Sequence, residues 1–210
     1  MNHLTIDKPS SAPSGQPLYT LHNGWLIAAW SSIYIFSVWW VRTNVLVDDS
    51  FQPRAAVVSY VMVPVGLLIR TSAVAFCLFT GLLLTNRKLS FGSVFKIALF
   101  AESALVAFAV IKLLLLVFFH PVTRLQDLEA FAPLSLWNIP GASSLPRWVM
   151  YPLQTINLFE IAYWLLLAIG LRHYLGQPVG KMLALVLGSY GLGLLCWMAG
   201  IVFLVVNLSH

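Results

Sequence analysis

The sequence predicts an all-α integral membrane protein, a bundle of five transmembrane helices with a short interfacial helix before the fourth. Two observations predict this class. Of the 210 residues, 60% are hydrophobic and only 9% are charged, whereas a soluble domain carries roughly 25% charged residues. The hydrophobic residues also gather in five runs of at least ~19 residues, long enough to cross a hydrocarbon layer of ~30 Å. The segments between these runs are too short to form a soluble domain.

The runs divide the chain into an N-terminal tail and a single transmembrane bundle. Residues 1–20 contain several prolines and serines, and we expect a flexible tail there. The remaining residues, 21–210, form the bundle. Its predicted spans cover about residues 21–41, 57–84, 91–119, 153–171 and 182–206. Pro64 is expected to kink the second span, which we interpret as one helix.

The connection before the fourth span has a helical pattern of its own. Leu125, Leu128 and Phe131 recur at helical spacing within residues 124–136, which predicts a short helix lying on the membrane surface. The fourth span then follows Pro152, a residue suited to the first turn of a helix because no amide donor is needed there.

Basic residues favour one orientation of the five spans. An odd number of spans places the two termini on opposite sides of the membrane. Five basic residues collect on the side of the N-terminus, and four collect on the other side, which by the positive-inside rule places the N-terminus in the cytoplasm. The first group is Lys8, Arg87, Lys88, Arg172 and Lys181, and the second is Arg42, Arg54, Arg124 and Arg147.

Three ionisable residues, Arg70, Glu102 and Glu160, are predicted near the middle of the membrane, and Asn157 shares a helical face with Glu160. Lipid cannot satisfy such groups, so this polar seam should face protein or a wet cavity. We expect Arg70 to pair with Glu102 or Glu160, the other glutamate being protonated and hydrogen-bonded. The pair has either a structural role, fixing helix register, or a functional one as an ion path or a polar surface for another subunit.

The last span carries small residues at helical spacing. Ser189, Gly193 and Gly200 are predicted to form a helix-packing face, since small side chains let two helices approach closely. The partner of this face is either another helix of the same bundle or a second protein.

The motifs of common membrane and soluble enzymes are absent from the sequence. There is no Gly-rich phosphate loop, no H-E-x-x-H and no G-x-S-x-G, which excludes the usual ATPases, zinc proteases and serine hydrolases but leaves an atypical intramembrane enzyme open.

We predict no metal and no cofactor. His22 and His173 would lie at one membrane face, where a paired-histidine haem is conceivable, but interfacial side chains are the preferred interpretation. The net charge of +5 is spread over several loops, which argues against binding of nucleic acid.

Three stretches carry a resemblance to a known family. They are FAPLSLWNIPG (131–141), INLFEIAYWLLLAIGL (156–171) and GQPVGKMLALVL (176–187). Over about Phe131 to Leu187 the chain resembles the bacterial Yip-domain membrane proteins. The resemblance implies five spans, an N-terminal tail in the cytoplasm and location in a bacterial inner membrane. It does not extend to binding of small GTPases, because the D-L-Y-G-P motif of the eukaryotic members is absent.

Two functions are consistent with these patterns. Some bacterial Yip-domain proteins accompany ABC exporters, so the resemblance implies a non-enzymatic accessory or scaffold subunit of a membrane complex such as an ABC-type exporter. Its partners would be the lipid bilayer and another membrane protein, or a second copy of itself. The alternative is a small transporter or channel that uses the seam of Arg70, Glu102 and Glu160.

Overall fold

The computed structural model describes residues 23–44, 53–119, 131–139 and 145–208. This part of the chain forms helices and no strand, in agreement with the predicted all-α class. The helices are α1 (Asn23–Asn44), α2 (Pro53–Leu84), α3 (Phe91–Phe119), α4 (Arg147–Thr155), α5 (Leu158–Leu175), α6 (Val179–Val186) and α7 (Leu192–Leu208). A single π-helical turn, Leu187–Gly191, joins α6 to α7.

Five helical segments in the described ranges are long and apolar enough to cross a membrane, as predicted. They are Gly24–Val41, Tyr60–Leu84, Phe91–Phe118, Leu158–Leu175 and Val179–Asn207. Their length and composition indicate a multi-pass membrane protein. The second is one continuous helix through Pro64, and the fifth includes α6, the π-helical turn and α7.

Helix α3 is the centre of the bundle. It contacts α1, α2 and α5, while the last span packs against α2 and α5. Buried aliphatic side chains fill the space between α2, α3, α5 and α6, among them Leu78, Ile97, Leu167 and Met182. Helix α1 packs against α2 and α3 at the edge of this group and contributes little to the buried core.

Two contacts define how α5 lies along α3. A methyl group added at Gly170 would lie 2.5 Å from Cγ2 of Ile97, so glycine is needed for this close approach. Further along, the rings of Phe108 and Phe159 have centroids 5.3 Å apart. Both contacts fit one antiparallel register, in which Leu158 is level with Ala109. Helix α5 therefore begins near the middle of α3 instead of at its end.

The fourth span is broken, which corrects the predicted continuous helix over residues 153–171. Pro152 lies inside the short helix α4, and the backbone becomes extended at Ile156 and Asn157 before α5 begins at Leu158. The side chain of Asn157 accepts a hydrogen bond from the backbone N–H of Glu160 at 2.9 Å. Asparagine at this N-cap position stabilises a new helix start, and therefore the break.

A loop from the preceding connection pairs with the break. The backbone N–H of Leu136 donates to the carbonyl of Ile156, and that of Leu158 donates to the carbonyl of Leu134, both at 3.1 Å. Ser135 and Asn157 thus form an antiparallel bridge. Because Leu158 is level with the middle of α3, this loop reaches about the mid-depth of the bundle, where non-helical backbone must be paired or buried.

The predicted interfacial helix over residues 124–136 is wrong at its C-terminal end. Residues 124–130 lie outside the described ranges, and Phe131–Ser135 are not helical. Only Leu136–Asn138 form a 3-10 turn. Phe131 continues the helical spacing of the leucines but does not belong to a helix, because the backbone around Ser135 pairs with the broken span.

The small residues of the last span have two different surroundings. A methyl group added at Gly81 of α2 would lie 2.6 Å from Cβ of Ser189, and one added at Gly193 would lie 2.9 Å from the sulfur of Cys77. Ser189 and Gly193 are therefore packed against α2 within the bundle. A methyl group at Gly200 would meet no atom within 4 Å, so only this glycine of the predicted packing face is open.

Candidate functional site

Arg70 of α2 and Glu102 of α3 form a bidentate ion pair. Nε of Arg70 donates to Oε1 of Glu102 at 2.8 Å, and Nη2 donates to Oε2 at 2.7 Å. The side chain of Glu102 is fully buried, and Thr71 adds a longer hydrogen bond to Oε1 at 3.4 Å. Of the two glutamates that the sequence offered as partners, the structure pairs Arg70 with Glu102. Paired donors of this kind are stronger and more directional than a single hydrogen bond.

Helix α1 contributes a residue that sequence reasoning missed. Nη2 of Arg70 also donates to the hydroxyl of Tyr34 at 3.2 Å, and the guanidinium carbon lies 6.0 Å from the centre of the tyrosine ring. Nearby, Nε1 of Trp30 donates to the carbonyl of Leu99 at 3.2 Å. A tyrosine in the middle of an apolar span was the available signal. These contacts attach α1 to α2 and α3.

Only one edge of the Arg70 guanidinium has hydrogen-bond acceptors for its N–H groups in the described chain. Its side chain is 45% exposed although the paired Glu102 is 0% exposed. Nη1 donates to no side chain or carbonyl in the described part of the chain. Arg70 lies about 15 Å from one end of its span and about 21 Å from the other, too far for its side chain to reach either surface. In the described chain, the two N–H donors of Nη1 therefore belong to a half-exposed side chain at mid-depth and have no acceptor.

The second polar centre is built around Glu160 at the start of α5. Nε1 of Trp164 and the hydroxyl of Tyr190 both donate to Oε1 of Glu160 at 2.8 Å. Asn157 holds the break in place, since its Nδ2 donates to the carbonyls of Gln154 and Thr155 while its Oδ1 caps the N–H of Glu160. Oε2 of Glu160 has no hydrogen-bond partner among the residues that the structure describes.

A cleft of about 210 Å³ opens beside Glu160. It lies where the two irregular backbones meet, the break at Ile156 and Asn157 and the π-helical turn that carries Gly191. Apart from Asn157, Glu160 and Trp164, its walls are aliphatic or glycine. They are Ile156, Ile161, Leu187, Gly191, Leu194, Leu195 and Met198.

The four predicted residues of the polar seam thus belong to two centres. Arg70 and Glu102 form one, and Asn157 and Glu160 form the other. In the register of α3 and α5, Glu160 is level with Ala107, which places the two carboxylates at depths about 8 Å apart.

Tyr163 of α5 lies between the two centres. It is fully buried and packs edge-on against Tyr190, with ring centroids 5.6 Å apart. Its hydroxyl forms no hydrogen bond within the described ranges. In this part of the chain, Tyr163 therefore does not join the two centres by a hydrogen bond.

Other candidates from the sequence do not assemble into a site here. In residues 23–44, 53–119, 131–139 and 145–208, no group of three or more His, Cys, Asp or Glu side chains is arranged to hold a metal ion. His173 is exposed and contacts the ring of Tyr174 edge-on. His22 lies outside the described residues, so the paired-histidine idea is untested.

Comparison of the chain with models of protein families, with curated proteins and with solved structures gave no match. The resemblance to the bacterial Yip-domain proteins therefore stays a prediction from the three stretches quoted above.

Proposed function

We propose that the chain is a non-enzymatic accessory or scaffold subunit of a membrane complex, and that its partner docks on the face of α2 around Arg70. The open edge of the Arg70 guanidinium is the observation that supports this proposal. Lipid offers no acceptor for N–H donors at mid-depth, whereas a neighbouring membrane protein can offer one. An ABC-type exporter is the kind of complex that the Yip resemblance implies.

The surroundings of Arg70 suit close contact with another helix. Gly66 and Ala73 are one helical turn from Arg70 on either side, and both are exposed. A methyl group added at Gly66 would meet no atom within 4 Å, so the glycine is not needed for packing inside the bundle. Small residues of this kind allow helix backbones to approach closely. Since Glu102 already balances the charge of Arg70, a carbonyl, amide or hydroxyl of the partner is sufficient as acceptor.

Co-purification from native membranes in a mild detergent tests the docking face. We expect a stoichiometric partner with the wild-type chain and its loss with Gly66→Leu, which fills the face and whose Cβ meets no atom of the bundle within 4 Å. Gly92→Leu, another exposed glycine with open space around it, is the matched control and should keep the partner. Gly200→Leu changes the small-residue face of α7 instead, and loss of the partner with this variant would place the contact there. A wild-type chain that purifies without any partner, or a Gly66→Leu chain that keeps it, would contradict the proposal.

We also propose that the end of the bundle carrying Arg87, Lys88, Arg172 and Lys181 faces the cytoplasm of a bacterial inner membrane. Both basic turns lie at the same end because α2 and α5 run antiparallel to α3. Reporter fusions at Leu89 and Gly176 should be active only in the cytoplasm, and a fusion at the C-terminus only outside. A C-terminal reporter active in the cytoplasm would overturn this orientation.

A small transporter is the second candidate, favoured by the broken fourth span. Discontinuous helices at mid-depth supply binding groups in many transporters, and π-helical turns are frequent at functional sites. Here both irregularities border the cleft of Glu160. Flux measured in liposomes separates the candidates: a transporter loses flux with Glu160→Gln and keeps it with Gly66→Leu, whereas an accessory subunit has no flux of its own.

A further inference from the structure

We infer that the cleft beside Glu160 is a binding site for a small apolar organic cation, namely a protonated amine on a short aromatic or aliphatic body. The site is formed by α5, the π-helical turn and α7, so it is separate from the docking face on α2 and does not depend on the proposed subunit role. It also does not require that the chain carry the ligand across the membrane.

The carboxylate is arranged for such a ligand. Two N–H or O–H donors converge on Oε1 of Glu160, which fixes the rotation of the carboxyl group and offsets part of the cost that burial places on its charged form. Oε2 is left without a partner in the described chain, and Glu160 lines the cleft. An ionised carboxylate there with no counter-ion is costly, so a cation at Oε2 would stabilise the charge and satisfy the carboxylate oxygen that the described chain leaves open.

The walls of the cleft select the rest of the ligand. Trp164 is held by its hydrogen bond to Oε1 and also lines the cleft, so an ammonium group at Oε2 would have an indole ring nearby. The remaining walls are aliphatic and favour a hydrocarbon body. The volume of about 210 Å³ is below the ~300–1,000 Å³ usual for drug-sized ligands, which limits the body to about one ring and a short chain.

A metal ion is a poor fit for the same cleft. Hard cations such as Ca²⁺ require about six to eight oxygen ligands. Both polar atoms of the Asn157 side chain are occupied by backbone groups, which leaves one carboxylate oxygen as the ligand. An anion would find no free side-chain donor in the cleft, because the N–H groups of Trp164 and Asn157 are already bonded and the open oxygen Oε2 of Glu160 is itself an acceptor. The apolar walls and the indole ring are thus consistent with an organic cation.

Binding is best tested with a series that changes only the charge of the ligand. The purified full-length chain in nanodiscs is titrated by calorimetry at neutral pH with 4-phenylbutylamine, 4-phenylbutanol and 4-phenylbutyrate, with empty nanodiscs as the blank. We expect saturable binding of the amine, binding of the alcohol weaker by about tenfold or more because it lacks the charged contact, and no binding of the carboxylate.

Three variants locate the site. Glu160→Gln keeps an acceptor for Trp164 and Tyr190, and it should remove the advantage of the amine while leaving the alcohol unchanged. Gly191→Leu fills the cleft, with no clash at Cβ because the nearest atoms are 3.9 Å away, and it should abolish binding of both ligands. Gly188→Leu changes the same π-helical turn outside the cleft and should bind like the wild type.

Several results would contradict the proposed binding site. Equal affinity for the amine and the alcohol would mean an apolar cavity without cation selectivity. Stronger binding of the carboxylate, or absence of saturable binding in the wild type, would refute it outright. If Glu160→Gln does not fold, as judged by its melting temperature, the charge series on the wild type still tests the selectivity. Equal amine binding by the Gly191→Leu and Gly188→Leu variants would place the amine elsewhere.

Discussion

The two buried carboxylates in the described part of the chain are accommodated in opposite ways. Glu102 lies on an uninterrupted helix and receives its counter-ion, Arg70, from another uninterrupted helix. Glu160 has no paired cation in the described chain and lies beside a break in the backbone. The carboxylate that is paired with an arginine of the same chain therefore lies between regular helices. The carboxylate without such a pair lies where irregular backbone opens a cleft.

The two centres are also incomplete in opposite senses. In the described chain, the first leaves the two N–H donors of Nη1 of the half-exposed Arg70 side chain without an acceptor, and the second leaves an acceptor, Oε2 of Glu160, at the cleft. The first can receive an acceptor from a partner protein, and the second can receive a donor from a ligand. Mutations that disturb one centre and spare the other test whether this division is correct.

The largest effect is expected from Arg70→Leu. The substitution leaves Glu102 buried without its cation, and breaking a buried pair from one side costs roughly 3–5 kcal/mol. The melting temperature in detergent should fall steeply. Adding Glu102→Gln should recover part of the loss, whereas adding Glu160→Gln should not. Equal recovery by both second substitutions would mean that the two carboxylates share one network.

A smaller loss is expected from Gly170→Ala, which tests the register that separates the two carboxylates in depth. The new methyl group would meet the branched and stiff side chain of Ile97 at 2.5 Å. Overpacking of this kind costs roughly 1–3 kcal/mol. Gly188→Ala is the control, since its methyl group meets open space and alanine is the better helix former. If both variants melt at the same temperature, α3 and α5 are not in close contact at Gly170.

The smallest effect is expected from Asn157→Ala, which removes the cap of α5. Loss of an N-cap costs about 1 kcal/mol, and the loss should be measurable by thermal melting. Asn157→Ser keeps an oxygen that can cap the helix and should melt close to the wild type. Because the cap positions Glu160, Asn157→Ala should also change the fluorescence of Trp164. A variant that matches the wild type in both measurements would indicate that the break does not depend on this cap.

Hydropathy alone predicted the five spans, because lipid imposes a length and an apolar composition that are visible in any sequence. The break was missed since Ile156 within it and Leu158 directly after it are as apolar as the rest of the span. The available signal was Asn157 three residues before Glu160, a spacing typical of a helix start.

The pairing of the polar residues was only partly predictable. Depth along the helices limited Arg70 to two possible partners, Glu102 and Glu160, but it could not choose between them. The contacts of Tyr34 with Arg70 and of Tyr190 with Glu160 depend on which helices are neighbours. No local sequence pattern shows which helices will be neighbours. No local pattern predicted the π-helical turn either.

The bridge between Ser135 and Asn157 has a consequence for biogenesis. A regular hydrophobic helix enters the bilayer with its backbone hydrogen bonds already formed within itself. The broken span cannot do so, because the carbonyl of Ile156 and the N–H of Leu158 are satisfied by Leu136 and Leu134. These loop residues precede the span in the chain and leave the ribosome first. The segment from the loop to α5 is therefore expected to enter the membrane as one cooperative unit, in contact with the protein that has already been inserted.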